Sequence, residues 1–77
     1  MGGTLTAKQE KLLVLFKSAI ENERKAQQAY RETLQLCDEP ALRGIIESFI
    51  QQEKTHEETL LKIYNDLRTT GEFKDAT

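Results

Sequence analysis

The sequence has one cysteine, one proline, one methionine and one histidine, no tryptophan and no long run of apolar residues. A single cysteine, Cys37, excludes an intrachain disulfide and favours a reducing compartment. No stretch approaches the roughly 20 apolar residues that cross a membrane, and residues 1–3 show no sign of a signal peptide. We therefore expect a cytoplasmic protein that has no membrane partner.

Blocks of like charge are also missing. The 11 basic and 13 acidic residues are interspersed along 77 positions, and the net charge is -2. Nucleic-acid binding usually needs a basic stripe, so nucleic acid is not an expected partner. A chain this short and this highly charged is typical of amphipathic helices that bury one stripe against a partner.

Glycine and proline are absent from residues 7–36, which predicts one long helix. Thr6, followed three residues later by Gln9, has the spacing of a capping box and is expected to begin this helix. Mostly apolar positions recur in it at alternating steps of four and three residues, as on a helix that packs along its length. This first seam is Leu12, Phe16, Ala19, Glu23, Ala26, Tyr30, Thr33 and Cys37.

The only proline breaks the pattern and opens a second helix. Asp38 is expected to cap that helix, and Pro40 is tolerated in its first turn, where its missing N–H costs nothing. The helix is predicted from about Glu39 to Arg68, with Gly71 ending it. Its seam repeats the same steps: Leu42, Ile46, Phe49, Glu53, His56, Leu60, Ile63 and Leu67.

So short a connection between two long helices requires an antiparallel hairpin. The predicted organisation is a flexible N-terminus at 1–5, a helical hairpin at 6–70 and a short tail at 71–77. Each helix then has one neighbour, and one side of each apolar stripe stays uncovered.

Three ionisable residues interrupt the two seams. Glu23 lies 15 residues before Asp38 and Glu53 lies 15 residues after it, so both should sit about 22 Å from the turn. His56 follows Glu53 by three residues and shares its face. Buried carboxylates are normally paired or bound to a metal, so the set predicts a shared metal ion. The alternative is a polar layer that only fixes helix register.

A second copy of the chain would complete such a site. Two hairpins related by a two-fold axis make a four-helix bundle that gathers four Glu and two His at its centre. One Glu from each of two helices and Glu-x-x-His from each of the other two is the ligand pattern of di-iron and di-manganese bundles. Iron or manganese suits these donors, and zinc would also bind them.

Several of these residues together resemble half of a rubrerythrin or ferritin-like domain. They are Glu23 with Tyr30 seven residues later, the short turn with Pro40, and the Glu53-Lys-Thr-His56 motif. The layout is similar to that of the encapsulated-ferritin-like proteins, half-domains that share a di-iron site between subunits. The resemblance implies an all-α hairpin that dimerises into a ferritin-like four-helix bundle. It also implies that Glu23, Glu53 and His56 bind two iron ions per dimer, with Glu23 or Glu53 bridging.

The implied activity is ferroxidase-type oxidation of Fe(II) by dioxygen or peroxide, for iron storage or protection against oxidative stress. Tyr30 is expected behind the ligands, and Glu57 at the rim, where it either supports a ligand or guides cations inward. An encapsulating protein shell is a further candidate partner and location, although no hydrophobic cargo peptide follows Phe73. The alternative function is a non-catalytic helical interaction module with a structural polar or metal layer.

Overall fold

The computed structural model describes residues 5–73 and shows a helical hairpin, with no strand in that part of the chain. Helix α1 spans Ala7–Leu36 and helix α2 spans Pro40–Thr70. The two pack against each other as a slab of 54 × 25 × 15 Å. The predicted all-α hairpin is confirmed. The expected flexible N-terminus and tail fall partly on residues 1–4 and 74–77, which lie outside the described residues.

The far end of the hairpin, opposite the turn, is joined through Gln9. Its backbone N–H donates to Thr6 Oγ1 at 3.1 Å and its side-chain oxygen accepts from Thr6 N at 2.8 Å, which confirms the capping box. Gln9 Nε2 also donates to the carbonyl of Gly71 at 3.1 Å. Gly71 has a φ of 78° and ends α2, as predicted, because this left-handed conformation favours glycine. One side chain therefore ties the start of α1 to the end of α2.

At the turn, the prediction that Asp38 caps α2 is wrong. The N-cap residue is Glu39, and it makes no side-chain capping hydrogen bond. Pro40 holds the residue before it in an extended conformation and begins the helix itself, so Asp38 stands one position too early. Arg43 stabilises the other side of the turn, where its Nη1 donates to the carbonyls of Leu34 at 2.6 Å and Cys37 at 2.9 Å.

The core between the helices is thin. Among the described residues, the buried apolar side chains are Ile20, Ile46 and Leu67, and Gln27 is buried with them. Two helices cannot enclose more than one stripe each, so most seam residues stay partly accessible. Neither helix in the described part of the chain is long and apolar enough to cross a membrane.

One face of the hairpin carries large apolar side chains that neither helix covers. On α2 these residues are Leu42, Ile45 and Phe49. They precede His56 by 14, 11 and 7 positions, which places them on the same side of the helix as that histidine. On α1 the corresponding residue is Leu12, which precedes Glu23 by 11 positions. We call this face the open flank; its exposed apolar residues are Leu12, Leu42, Ile45 and Phe49. The predicted assembly of two hairpins into a four-helix bundle remains a prediction.

Candidate metal centre

Three potential metal ligands meet halfway along the hairpin. Glu23 comes from α1, and Glu53 and His56 come from successive turns of α2. Each offers one ligand atom, and the three atoms lie within 4.8 Å of one another. Antiparallel packing brings together residues equally far from the turn, as their spacing predicts. Their role as metal ligands remains a prediction.

The carboxylates point at one nitrogen of the imidazole. His56 Nδ1 lies 3.6 Å from Glu23 Oε2 and 3.8 Å from Glu53 Oε2. Both distances are too long for good hydrogen bonds and leave room for an ion among the three atoms. The two carboxylates are mostly buried, whereas 59 % of the His56 side chain is exposed.

One carboxylate oxygen in this cluster lacks the partner that burial normally requires. Among the described residues, Glu23 Oε2 is a buried side-chain oxygen that has no hydrogen-bond partner. Leaving such an atom unsatisfied costs on the order of 1–3 kcal/mol, and more when the group is charged. A bound cation would remove that cost, so the cluster fits a metal ion.

The donor set limits which metals fit. Two carboxylate oxygens and one imidazole nitrogen suit iron, manganese or zinc. Three ligands leave coordination positions open, and the cluster lies beside the open flank. A groove of about 460 Å³ also runs along α2 to His56, and the other residues that line it are uncharged: Ser48, Gln51, Gln52 and Thr55.

Tyr30 lies on the same side of α1 as Glu23, two helical turns along. Its ring packs against Phe49 across the hairpin, with centroids 5.5 Å apart and a tilt of 48°. The contact places two aromatic rings on the turn side of the ligand cluster. It can limit water access from that direction, and the expected support of the ligands by Tyr30 remains a prediction.

Glu57 is tied to α1 by two hydrogen bonds. Its Oε2 accepts from Arg24 Nε at 2.8 Å, and its Oε1 accepts from Gln27 Nε2 at 2.7 Å. The Arg24 hydrogen bond, and after it the Gln27 hydrogen bond, lower the pKa of Glu57 below its usual value. The carboxylate thus joins the helices on the side away from the open flank.

The sequence patterns that predicted the cluster did not indicate a role for Arg24 or Gln27. The spacing of Gln27 does contain a signal, since Leu13, Ile20, Gln27 and Leu34 recur every seven residues on the side that faces α2. Gln27 is a polar residue in an otherwise apolar row, and only 5 % of it is exposed. Arg24 gives no comparable signal, because it resembles any exposed charge on a helix.

The comparison with protein families agrees with this geometry. A family model described as Rubrerythrin matches residues 14–77, which is most of the chain. The chain belongs to the rubrerythrin family. The matched range includes the three clustered residues, and the family suggests a di-iron carboxylate fold whose members typically bind iron. No curated protein and no solved structure matches the chain significantly. The family match leaves the encapsulated-ferritin-like layout as a prediction.

Proposed function

We propose that this rubrerythrin-family chain forms a homodimeric four-helix bundle with two iron ions per dimer. We further propose that it oxidises Fe(II) with dioxygen or peroxide, in iron storage or in protection against oxidative stress. The observation that carries this proposal is the cluster of Glu23, Glu53 and His56 within 4.8 Å, together with the unpartnered buried oxygen of Glu23.

The open flank supports the homodimer. Exposed apolar residues such as Ile45 and Phe49 lie on the same side of α2 as His56. A second hairpin laid on this flank would bury them and bring a second ligand cluster towards the first. The clusters lie near the middle of both helices, so two hairpins can overlap fully while their clusters meet. The resulting four Glu and two His match the ligand set of di-iron bundles.

The residues of the chain have separate tasks in this reaction. Bound iron would supply the redox chemistry, because Fe(II) can lose one electron to dioxygen or peroxide. The Glu23 and Glu53 carboxylates would hold the cations and offset their charge. His56 has to be neutral to bind through Nδ1. The rings of Tyr30 and Phe49, packed 5.5 Å apart on the turn side, would limit water there once a second hairpin covers Phe49.

Iron binding and oxidation by the purified protein test the proposal. We expect about one iron per chain and oxidation of added Fe(II) faster than in buffer. The variant that combines Glu53→Ala and His56→Ala should lose both properties. Glu58→Ala is the matched control, because this exposed carboxylate lies on the same helix outside the cluster. Wild-type oxidation rates in the double variant would refute the proposal.

A non-catalytic helical interaction module is the second candidate. The observation that favours it is the position of His56 Nδ1 between two carboxylates, where a protonated imidazole would form a polar layer without any metal. This alternative predicts that removing metal changes neither thermal stability nor oligomer size. It also predicts that Glu53→Leu combined with His56→Leu stabilises the protein, as often happens when buried ion pairs become apolar. A metal-dependent rise in stability counts against it.

A further inference from the structure

The hairpin contains a second polar contact between its helices, apart from the ligand cluster. Gln27 is buried and donates to Glu57 at 2.7 Å, while Arg24 donates to the other oxygen of the same carboxylate at 2.8 Å. Arg31 Nη2 also approaches Gln27 Oε1 at 3.5 Å. Most other side-chain hydrogen bonds in the described residues are local, within one helix or at its cap. This network instead links residues 30 and 33 positions apart in sequence.

The network occupies the same helical turns as the candidate ligands. Arg24 directly follows Glu23, and Glu57 directly follows His56. Gln27 lies one turn nearer the loop than Glu23, whereas Glu57 lies one turn farther from the loop than Glu53, and the two side chains meet at the bond between them. Because each helix is rigid over so few residues, the bond between Gln27 and Glu57 constrains how far Glu23 lies from the α2 ligands.

The short turn and the bond between Gln9 and Gly71 restrain the two ends of the hairpin, but between them the apolar core constrains this distance weakly. Only three apolar side chains are buried among the described residues, and apolar contacts are not directional. Sliding one helix by a single turn would move its residues by about 5.4 Å, more than the 4.8 Å within which the ligand atoms now lie. A directional, part-buried hydrogen bond opposes such sliding, and buried polar residues such as Gln27 are known to set helix register.

We infer that Gln27 and Glu57, assisted by Arg24, form a clamp that sets the helix register and thereby holds Glu23 in position to share a metal ion with Glu53 and His56. The three clamp residues are positioning residues and do not touch the ion. The inference rests on the proposed metal site and adds to it the residues that assemble the site within one chain.

The clamp differs from a simple electrostatic role for Glu57. A carboxylate near a metal site can also act by attracting cations, and this role depends on its charge. Here the Arg24 guanidinium lies against Glu57 and neutralises it locally. The hydrogen bond to Gln27, in contrast, needs an acceptor oxygen at position 57 but no charge. Two substitutions separate the roles. Gln27→Met removes the hydrogen bond and keeps the charge of Glu57, whereas Glu57→Gln removes that charge and keeps an acceptor for the hydrogen bond.

Co²⁺ titration of the metal-free protein, followed by visible absorption, provides the test. Gln27→Met keeps the size and the net charge but removes the donor, and should weaken Co²⁺ binding by about tenfold and alter the absorption bands. Glu57→Gln removes the charge but keeps an acceptor oxygen, and should bind Co²⁺ within about threefold of wild type. Gln28→Met is the matched control, because Gln28 is exposed and bonds only within its own helix, to Glu32.

Thermal melts of the metal-free variants accompany the titration. A merely structural role of Gln27 would lower the melting temperature in step with Co²⁺ affinity, whereas the clamp predicts that Gln27→Met remains folded and loses more affinity than its loss of stability accounts for. Wild-type affinity in Gln27→Met, or weaker binding in Glu57→Gln than in Gln27→Met, overturns the clamp alone. Wild-type protein that binds no Co²⁺ overturns the proposed metal site, and the clamp with it.

Discussion

Glu23 Oε2 and His56 Nδ1 lie 3.6 Å apart although 33 residues separate them in the sequence. The carboxylate oxygen is buried and has no hydrogen-bond partner among the described residues, while more than half of the histidine side chain is exposed. The cluster is therefore covered where Glu23 faces the space between the two helices, and it is accessible where His56 faces the open flank. The two carboxylates and one imidazole of a single chain are half of the four carboxylates and two imidazoles that a di-iron bundle uses, so the proposed site needs a second copy. These features link metal binding to assembly, because the surface that would bury His56 is the one expected to receive a second copy.

Metal binding is expected to stabilise the folded protein. A ligand that binds only the native state, at 100 times its dissociation constant, adds about 2.7 kcal/mol to the free energy of unfolding. Anaerobic thermal melts with Fe(II) or Co²⁺ should therefore show a higher melting temperature for the wild type and for the Glu58→Ala control. Glu53→Ala should lose this increase. An equal rise in Glu53→Ala would mean that the ions bind elsewhere.

A charge on the open flank is expected to block dimerisation. Ile45 is 51 % exposed in the single hairpin, and burying a lysine in its place would be costly. Sedimentation or light scattering should show a dimer for the wild type and a monomer for Ile45→Lys. Val14→Lys is the control, because Val14 is also exposed. It precedes Glu23 by nine residues and therefore lies on the opposite side of α1. A dimeric Ile45→Lys variant would place the interface on another face.

Residue spacing was sufficient to predict the hairpin and the proximity of Glu23, Glu53 and His56. Thr6 and Gln9 indicated where α1 begins, and equal distances from the turn placed Glu23 level with Glu53. These features depend on helix geometry, which is the same in every helix. The capping of α2 was predicted wrongly because Pro40, rather than the better capping residue Asp38, decides where that helix starts.

The hydrogen bonds that lock the hairpin could not be predicted in the same way. Arg43 donates across the turn to the carbonyls of Leu34, in α1, and Cys37, its C-cap. Arg24 donates from α1 to Glu57 on α2. A long charged side chain can point to water or to a neighbour with little change in local sequence pattern. Gln27 was more accessible to prediction, because a polar residue in an apolar seven-residue row needs a partner.

Arg43 is expected to stabilise the turn. Its Nη1 donates to the carbonyl of Cys37, and to that of Leu34, which also accepts from the Cys37 N–H at the end of α1. Arg43→Met keeps the apolar stem and should lower the free energy of unfolding by about 1–2 kcal/mol. Urea unfolding of the metal-free protein measures this difference. Lys25→Met, at an exposed position in the middle of α1, should cost much less, and an equal loss in both variants would contradict a specific role of the cap.

The stability contributed by Glu57 is expected to depend on pH. Its pKa in the folded protein is lowered from 4.5, first by the Arg24 hydrogen bond and then by that of Gln27. Around and below pH 4.5 the unfolded chain therefore binds a proton at Glu57 more readily than the folded one, so the stabilisation decreases as the pH falls towards the lower folded pKa. Above that range the stabilisation is fully present.

Comparing wild type with Glu57→Gln by urea unfolding of the metal-free proteins isolates this contribution. The wild type should be the more stable of the two at neutral pH, and its advantage should shrink below pH 4.5. A difference that stays constant down to pH 3 would show that the charge of Glu57 does not stabilise the hairpin.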